Sequence, residues 1–497
     1  MMSQGPHSTE AVAQPDGPDR EETVVGRIAL RFTAFTERWL PDSFGFVLVG
    51  TFLIALLGLA TRVPLTGLPA DAAATTGFGL VDAWGKGFWS LIQFTLQMTM
   101  IIIGGYAVAV SPPVARVIAG LARIPSTPRA AIAFTAAVSM VTSYLNWAFS
   151  LIFTAMMARE IARRMRGVDY RALGAMAFLG LGTVWAQGLS GSAALQVAST
   201  GSNPKAVQDV IKEGRGSGVI PLTDTIFQWQ SLVATLIVFV VAVVVAWLIA
   251  PRGEAAKTAA DLGVELKPLV PEDSTAQHTR RPGDWLEHSP LFTILLAALG
   301  LWYLIRYFDH AKGGALNALD LNTVNLILIL LALLLHWRPA DLVRAVRDAA
   351  PAAAGVLLQF PFYGGIFGMI AYTGLSKTIA GWLTSVADAD LYPALIAVYS
   401  CVLGIFVPSG GSKWVIEAPY VLDAANQLHV NQGWMVVVYD LGEASANLLQ
   451  PFWMLPTLAV LGLKARHIMG FTFVMFLACF PVVLVLVTVL AQTLSYP

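Results

Sequence analysis

The chain has 497 residues, of which 56% are hydrophobic and only 12% charged, against about a quarter charged in soluble domains. Basic and acidic residues balance at 31 each, so net charge offers nothing to a nucleic acid, and one globular core cannot hide this much apolar sequence. The apolar residues gather into stretches of some twenty, about the length of a helix crossing roughly 30 Å of hydrocarbon, which points to an all-α polytopic membrane protein.

Residues 1–25, rich in Gly, Pro, Glu and Asp, lack the apolar stretch of a secretory signal and are expected to form a disordered cytoplasmic tail. From Arg27 to Leu40, Ile28, Phe32, Phe35 and Trp39 recur at helical spacing among Arg27, Arg31 and Arg38, as in an amphipathic helix lying on an anionic membrane face. Full spans are predicted at 44–60, 88–110, 173–200, 226–250, 291–307, 323–337, 352–373, 434–463 and 468–494, nine in all. Two further apolar stretches, 130–158 and 392–421, are interrupted by SYLNW (143–147) and PSGGSKW (408–414). The polar, proline-bearing segment 251–289 reads as a cytoplasmic linker between a first repeat, 26–250, and a second, 290–497. Cys401 and Cys479 lie in apolar stretches without metal-binding or redox spacing, so no disulfide is expected.

Arg116, Arg123 and Arg129 precede the first interrupted stretch, and Arg159, Arg163, Arg164, Arg166 and Arg171 follow it. Basic residues collect on the cytoplasmic side, so both flanks belong inside and the stretch should enter and leave by one face, as a re-entrant hairpin. Non-helical backbone at its tip must then line a protein cavity. Treating 392–421 likewise, with its ends outside, puts 22 of the 31 Lys and Arg on the inner side, eight outside and Lys413 within the second hairpin. The amino terminus is therefore expected inside and the carboxyl terminus outside.

The halves echo each other. LIQF (91–94) answers LLQF (357–360), IAG (118–120) answers IAG (379–381), Trp147 answers Trp414, and GLSGSAALQ (188–196) answers GEASANLLQ (442–450). Five crossings separate LIQF from LLQF, an odd number, so the repeat is expected to be inverted, as in many secondary transporters with a site at the membrane midplane.

Four polar interruptions, two hairpin tips and two broken spans, would meet there. Broken helices leave free N–H groups at one end for a carboxylate and free C=O groups at the other for a cation. Gly188, Gly191, Gly410, Gly411 and Gly442 are expected to permit the breaks, and Ser143, Asn146, Ser190, Ser192, Ser409, Ser412 and Asn447 to add polar contacts. The competing account is that small residues only let helices pack closely. Lys413 and Glu443, ionisable residues within the membrane, are candidates to neutralise a substrate carboxylate and to carry a coupling proton or cation, or else to pair with each other. Asp440 and Glu417 are weaker candidates. Gln359 and Gln450 rank above Gln93 and Gln97 as ligands, and Trp147, Trp414, Phe452 and Trp453 suit the walls of a pocket for a short acyl chain. A sodium ion would find oxygen near Ser143, Asn146, Gly188, Ser192, Ser409 and Gly442; no other cofactor is expected. P-loop and metalloprotease motifs are missing, which argues against ATP-driven transport and against an enzyme.

At these residues the sequence resembles the short-chain fatty acid transporter family, of the AtoE type. The likeness is carried by ERWLPD (37–42), GFW (87–89), NW (146–147), SGS (190–192), NTVNL (322–326), QFPFYGGI (359–366), PSGG (408–411) and QPFW with the following LP (450–456). The resemblance implies a bacterial inner-membrane permease for butyrate or acetoacetate-like acids, related to hairpin-containing, often homodimeric carriers with elevator-like motion. Two departures stand out: ASANLL after Gly442 and Glu443, where bulkier residues including a tryptophan are expected, and Lys413 in place of His or Gln. The expected function is proton- or sodium-coupled symport of a short monocarboxylate. Alternatives are a carrier of another small anion, such as a dicarboxylate, and a passive anion channel.

Overall fold

The computed structural model describes residues 43–69, 76–251, 253–266, 283–310, 319–406 and 409–497. The expected amino-terminal tail and amphipathic helix lie outside the described residues, as does 267–282 of the linker. Every described regular element is helical, with no strand among them.

Among the described residues, six helical segments are long and apolar enough to cross a membrane: Ile92–Ala109, Tyr170–Val197 (interrupted), Trp229–Ile249, Pro290–Asp309, Ala353–Tyr372 and Ala465–Ala491. Shorter apolar helices at Val47–Ala60 and Leu321–His336 fall on two more of the nine predicted spans. The ninth, 434–463, divides into Gln432–Ala446 and Leu455–Leu461, neither long enough alone. Trp229–Ile249 and Pro290–Asp309 turn Leu236, Leu248, Leu299 and Trp302 outward, each more than 60% exposed, a pattern that water would penalise and hydrocarbon favours.

Some boundaries differ from expectation. The span predicted at 88–110 starts only at Ile92, because Leu80–Phe88 is a separate helix that a turn at Trp89 to Leu91 parts from Ile92–Ala109. The span predicted at 352–373 is the end of a 34-residue helix, Pro339–Tyr372, which runs through Pro351 and Pro361. At 1.5 Å per residue it is about 51 Å long, so the part bearing Asp341, Arg344, Arg347 and Asp348 projects beyond any hydrocarbon layer. Amphipathic or polar helices at Pro112–Leu121, Lys205–Arg215 and Leu375–Val386 lie in connections between the predicted spans.

Both interrupted stretches fold back on themselves. In the first, Pro128–Leu145 and Trp147–Arg164 are separated by Asn146 alone, whose extended backbone (φ −157°, ψ 122°) makes the turn and whose side chain caps the second leg at Phe149 N, 2.8 Å away. The Ser150 hydroxyl donates to Ser139 O at 3.0 Å and pairs with Thr142 at 2.8 Å, closing the legs. The legs run beyond the predicted 130–158 because the arginine-bearing turn at residues 159–164 stays helical. In the second hairpin, Tyr392–Phe406 returns as Gly410–Leu428, beyond the predicted end at 421. Tyr392 donates to Val421 O (2.8 Å), the Tyr399 and Tyr420 hydroxyls meet at 2.9 Å, and Lys413 reaches Ser400, pairings that only antiparallel legs allow.

A broken span follows each hairpin. After the first, Tyr170–Phe178 continues as tight 3₁₀ turns, opens at 188–191 and resumes as Ser192–Val197. After the second, Gln432–Ala446 opens at 447–451 and resumes as Leu455–Leu461. Gly442 is not at the break. It lies inside Gln432–Ala446, where a Cβ would overlap the Ala397 backbone of the hairpin, so it serves close approach rather than unwinding. Gly188 does sit at its break, and a Cβ there would overlap the Tyr144 carbonyl, against which Leu189 N donates at 2.8 Å. The equal Gly-to-Gln spacing of the two motifs therefore does not align equivalent backbone: Gln196 is inside a short helix and Gln450 is at a break. Trp147 and Trp414 are likewise offset, the first opening its leg and the second lying a turn deeper.

Candidate functional site

Both hairpin tips and both breaks border one narrow cleft, with a cavity volume of about 30 Å³. Trp147 comes from the first tip, Ser409, Gly410 and Gly411 from the second, Leu181, Trp185 and Ser192 from the first broken span, and Asn447 and Trp453 from the second. Met98 and Ile102 of Ile92–Ala109 and Val356 and Phe360 of Pro339–Tyr372 form the opposite wall. The duplicated tetrapeptides meet beside it, Phe94 of LIQF stacking on Phe360 of LLQF at 5.6 Å and 17°.

The walls are apolar, with a few polar atoms left over. Trp147 packs edge-on against Trp185 (6.3 Å) and Trp453 (5.1 Å), and the indole N–H groups of Trp147 and Trp185 and the Ser192 hydroxyl are buried without a hydrogen-bond partner. Leaving such donors unpaired costs about 1–3 kcal/mol each, a cost tolerable where a ligand is to be received.

The helix ends at the tips are unequal. At the first tip, Asn146 caps Phe149 N and the Ser190 hydroxyl accepts the Trp147 N–H at 3.0 Å, so the amides there are occupied. At the second, Ser409 makes no side-chain cap, its hydroxyl instead accepting from Ser412 at 2.6 Å. Gly410 and Gly411 thus present the uncapped positive end of a 19-residue helix to the cleft. A Cβ on Gly410 would come within 2.8 Å of the Trp185 ring and 3.2 Å of Ser192 Oγ, so the absent side chain is part of the cleft's shape.

Six of the fifteen proposed substrate residues line the cleft: Trp147, Ser192, Ser409, Gly410, Gly411 and Asn447. Asn146, Ser190, Ser412 and Gln450 support it from behind; Gln450 donates to Asn447 Oδ1 (2.7 Å), and Asn447 donates to Leu181 O (3.2 Å), joining the two broken spans. Gly191 is the residue before Ser192–Val197, and Ser143 is buried in the first leg with its hydroxyl unpartnered. Trp414 packs on Tyr439 at 4.8 Å, away from the cleft lining, and Tyr439 OH donates to Gly410 O. Of the six residues suggested for sodium, Ser192 and Ser409 border the cleft, Ser143, Asn146 and Gly188 lie at the first hairpin and its break, and Gly442 packs on the second hairpin. Trp185, Met98 and Val356 escaped the sequence reading because isolated apolar residues within spans look like packing. Trp185 carried one available signal, its place three residues before the first glycine of the first interruption.

Lys413 lies one turn behind the tip. Its ammonium donates to Ser400 O (2.7 Å) and Oγ (2.8 Å) and pairs with Glu443 (2.7 Å), with Glu417 at 3.4 Å and the Tyr439 ring at 4.5 Å. Lys413 and Glu443 thus form an ion pair, one of the roles open to them.

A family model described as "Short chain fatty acid transporter" matches residues 24–490. A relative in Escherichia coli (strain K12) is 35% identical over 453 residues, covering 90% of this chain and 96% of its own. The chain belongs to the short-chain fatty acid transporter family. A Haemophilus influenzae relative is 33% identical over the same shares of both chains, and both relatives carry the name "Putative short-chain fatty acid transporter". In fold, the family member resembles the YdaH transporter of Alcanivorax borkumensis (TM-score 0.58, 17% identity, 91% of this chain and 98% of that one). It also resembles MtrF of Neisseria gonorrhoeae, whose structural description speaks of antimetabolite efflux pumps (TM-score 0.51, 14% identity, 94% and 97%). The protein is thus a membrane transporter rather than an enzyme, as its sequence suggested.

Proposed function

We propose that this transporter carries short-chain monocarboxylates such as butyrate or acetoacetate across the inner membrane by secondary active symport. The observation that carries the reading is the cleft: an apolar, tryptophan-walled space holding unpartnered N–H and O–H donors beside an uncapped helix end. A carboxylate at Gly410 and Gly411 receives the helix field and the donors of Trp185 and Ser192, while the acyl chain lies against Met98, Ile102, Val356 and Phe360. One anionic head and one short apolar tail match that division; a dicarboxylate would press its second charge against the apolar wall.

Two mirrored halves, each sending a re-entrant hairpin to a shared midplane site, give the topology, with the amino terminus cytoplasmic. Elevator-like motion is favoured by how the bonds are distributed. Hairpins and breaks are tied together by polar bonds, while Gln97, Asn322, Asn325 and His336 tie Ile92–Ala109 to Leu321–His336. The opposite cleft wall is apolar and can slide without exchanging hydrogen bonds.

Labelled butyrate uptake by the purified protein in liposomes tests this. Accumulation under an imposed proton or sodium gradient, competed by other short monocarboxylates but not by succinate, is expected. Failure to bind or accumulate any of them, or conductance far above carrier turnover, overturns it.

A further inference from the structure

Behind the cleft, in the contact between the second hairpin and the second broken span, three carboxylates surround a single ammonium. Lys413 and Glu417 are 0% exposed, and Asp440 and Glu443 are 1% exposed. An ammonium has three protons to donate; that of Lys413 bonds Ser400 O and Ser400 Oγ and forms its nearest ion pair with Glu443, at 2.7 Å. Glu417, at 3.4 Å, receives charge but no well-formed bond, and both oxygens of Asp440 are without a partner. Other titratable neighbours are Tyr392, Tyr399 and Cys401 from the first leg, Tyr420 from the second, Tyr439 from the broken span and Tyr363 from Pro339–Tyr372. None of them carries positive charge in either protonation state. Tyr363, 1% exposed and on a different element, has an unpartnered hydroxyl in the electrostatic neighbourhood of Glu443.

Four ionised groups with a net charge of −2 cannot persist in a dry interior, where each uncompensated charge costs several kcal/mol. Glu443 is neutralised by Lys413. Asp440 and Glu417 need protons or a second cation.

We propose that the Asp440, Glu417 and Glu443 cluster around Lys413 is the coupling site of the transporter, and that its exchangeable cation is a proton held on Asp440 or Glu417. The inference rests on the symport reading and assigns that reading's driving ion to named side chains. Placement supplies the link to substrate. Lys413 follows Gly411 by two residues on the same helix, and Glu443 precedes Asn447 by four, so both cluster helices end in cleft-lining residues. A tip that shifts to admit or release the carboxylate moves the ammonium relative to the carboxylates. The proton then enters from water on one face and leaves to water on the other, one with each monocarboxylate, and no net charge crosses.

Infrared difference spectroscopy on the full chain in liposomes tests the proton directly, through the hydrogen/deuterium-sensitive carbonyl stretch of a protonated carboxyl. The band is expected at neutral pH in the wild type and diminished or lost in Asp440→Asn or Glu417→Gln. Absence of the band in the wild type overturns the proposal, as does a band unchanged in Asp440→Asn, Glu417→Gln and Glu443→Gln alike. In the same vesicles, Asp440→Asn is expected to retain butyrate counterflow while proton-driven accumulation falls to equal concentrations on both sides. Retained proton-driven accumulation in that variant, or accumulation in the wild type driven by sodium at fixed pH, overturns the proposal. If the wild type carries no monocarboxylate while the band is present and lost in Asp440→Asn, the proton site stands and the substrate assignment falls.

Discussion

Replacing Lys413 by methionine keeps the stem length and removes the charge. In the wild type the ammonium makes two bonds to Ser400, at 2.7 and 2.8 Å, and one ion pair to Glu443, at 2.7 Å, all within 0–1% exposed surroundings. The substitution therefore leaves a buried carboxylate without its counter-charge and a buried hydroxyl without its donor. Breaking a buried pair from one side costs about 3–5 kcal/mol, because the remaining partner keeps its desolvation penalty without its compensation. Glu443→Gln in the same background removes the stranded charge, so the double variant is expected to be more stable than the sum of the single losses by about 1–3 kcal/mol. Equilibrium unfolding in mixed micelles, followed by tryptophan fluorescence for the two single variants and the double, reads both quantities. A Lys413→Met variant within about 0.5 kcal/mol of wild type, or strictly additive effects, would refute the reasoning that the ammonium is the internal counter-ion of the second hairpin.

Gly410→Ala puts a methyl group within 2.8 Å of the Trp185 ring, and is expected to weaken butyrate binding at least tenfold while the unfolding midpoint changes little, measured by calorimetric titration alongside a melt. Trp185→Phe and Trp147→Phe keep an aromatic wall and delete one donor each; if that donor meets the carboxylate, affinity falls about tenfold or more, the value of a hydrogen bond to a charged group, and an unchanged Kd would exclude the residue from head-group binding. Gly188→Ala forces the first broken span off the Tyr144 carbonyl and is expected to destabilise the protein by about 1–3 kcal/mol, seen as lost monodispersity in size-exclusion chromatography.

Much of the architecture was legible because bilayer thickness imposes a length on any helix that crosses, and length is visible in one dimension. Eight of the nine predicted spans coincide with helices long or apolar enough to be recognised individually, and the ninth is divided at 447–451, just beyond the helix that carries Asp440 and Glu443. The hairpin turns were legible for the same reason: SYLNW and PSGGSKW are polar where an uninterrupted span has no use for polarity. Less legible were the short helices such as Pro112–Leu121 and Leu375–Val386, which are neither apolar enough to span nor polar enough to stand out as loops.

The sequence alone therefore determined the helical membrane class, the family and the residue types at the two tips and two breaks. Tertiary structure decided which of those residues share a space. Ser409, Gly410 and Gly411 face the cleft, whereas Ser412, Lys413 and Trp414, consecutive in the same motif, do not line it, because a helix turns successive side chains by about 100° and sends neighbours in sequence to different surroundings. For the same reason Lys413 meets Glu443, thirty residues away, and Trp185 closes the pocket from a span whose composition marked it only as packing: contact depends on how helices cross, and crossing is absent from a linear pattern.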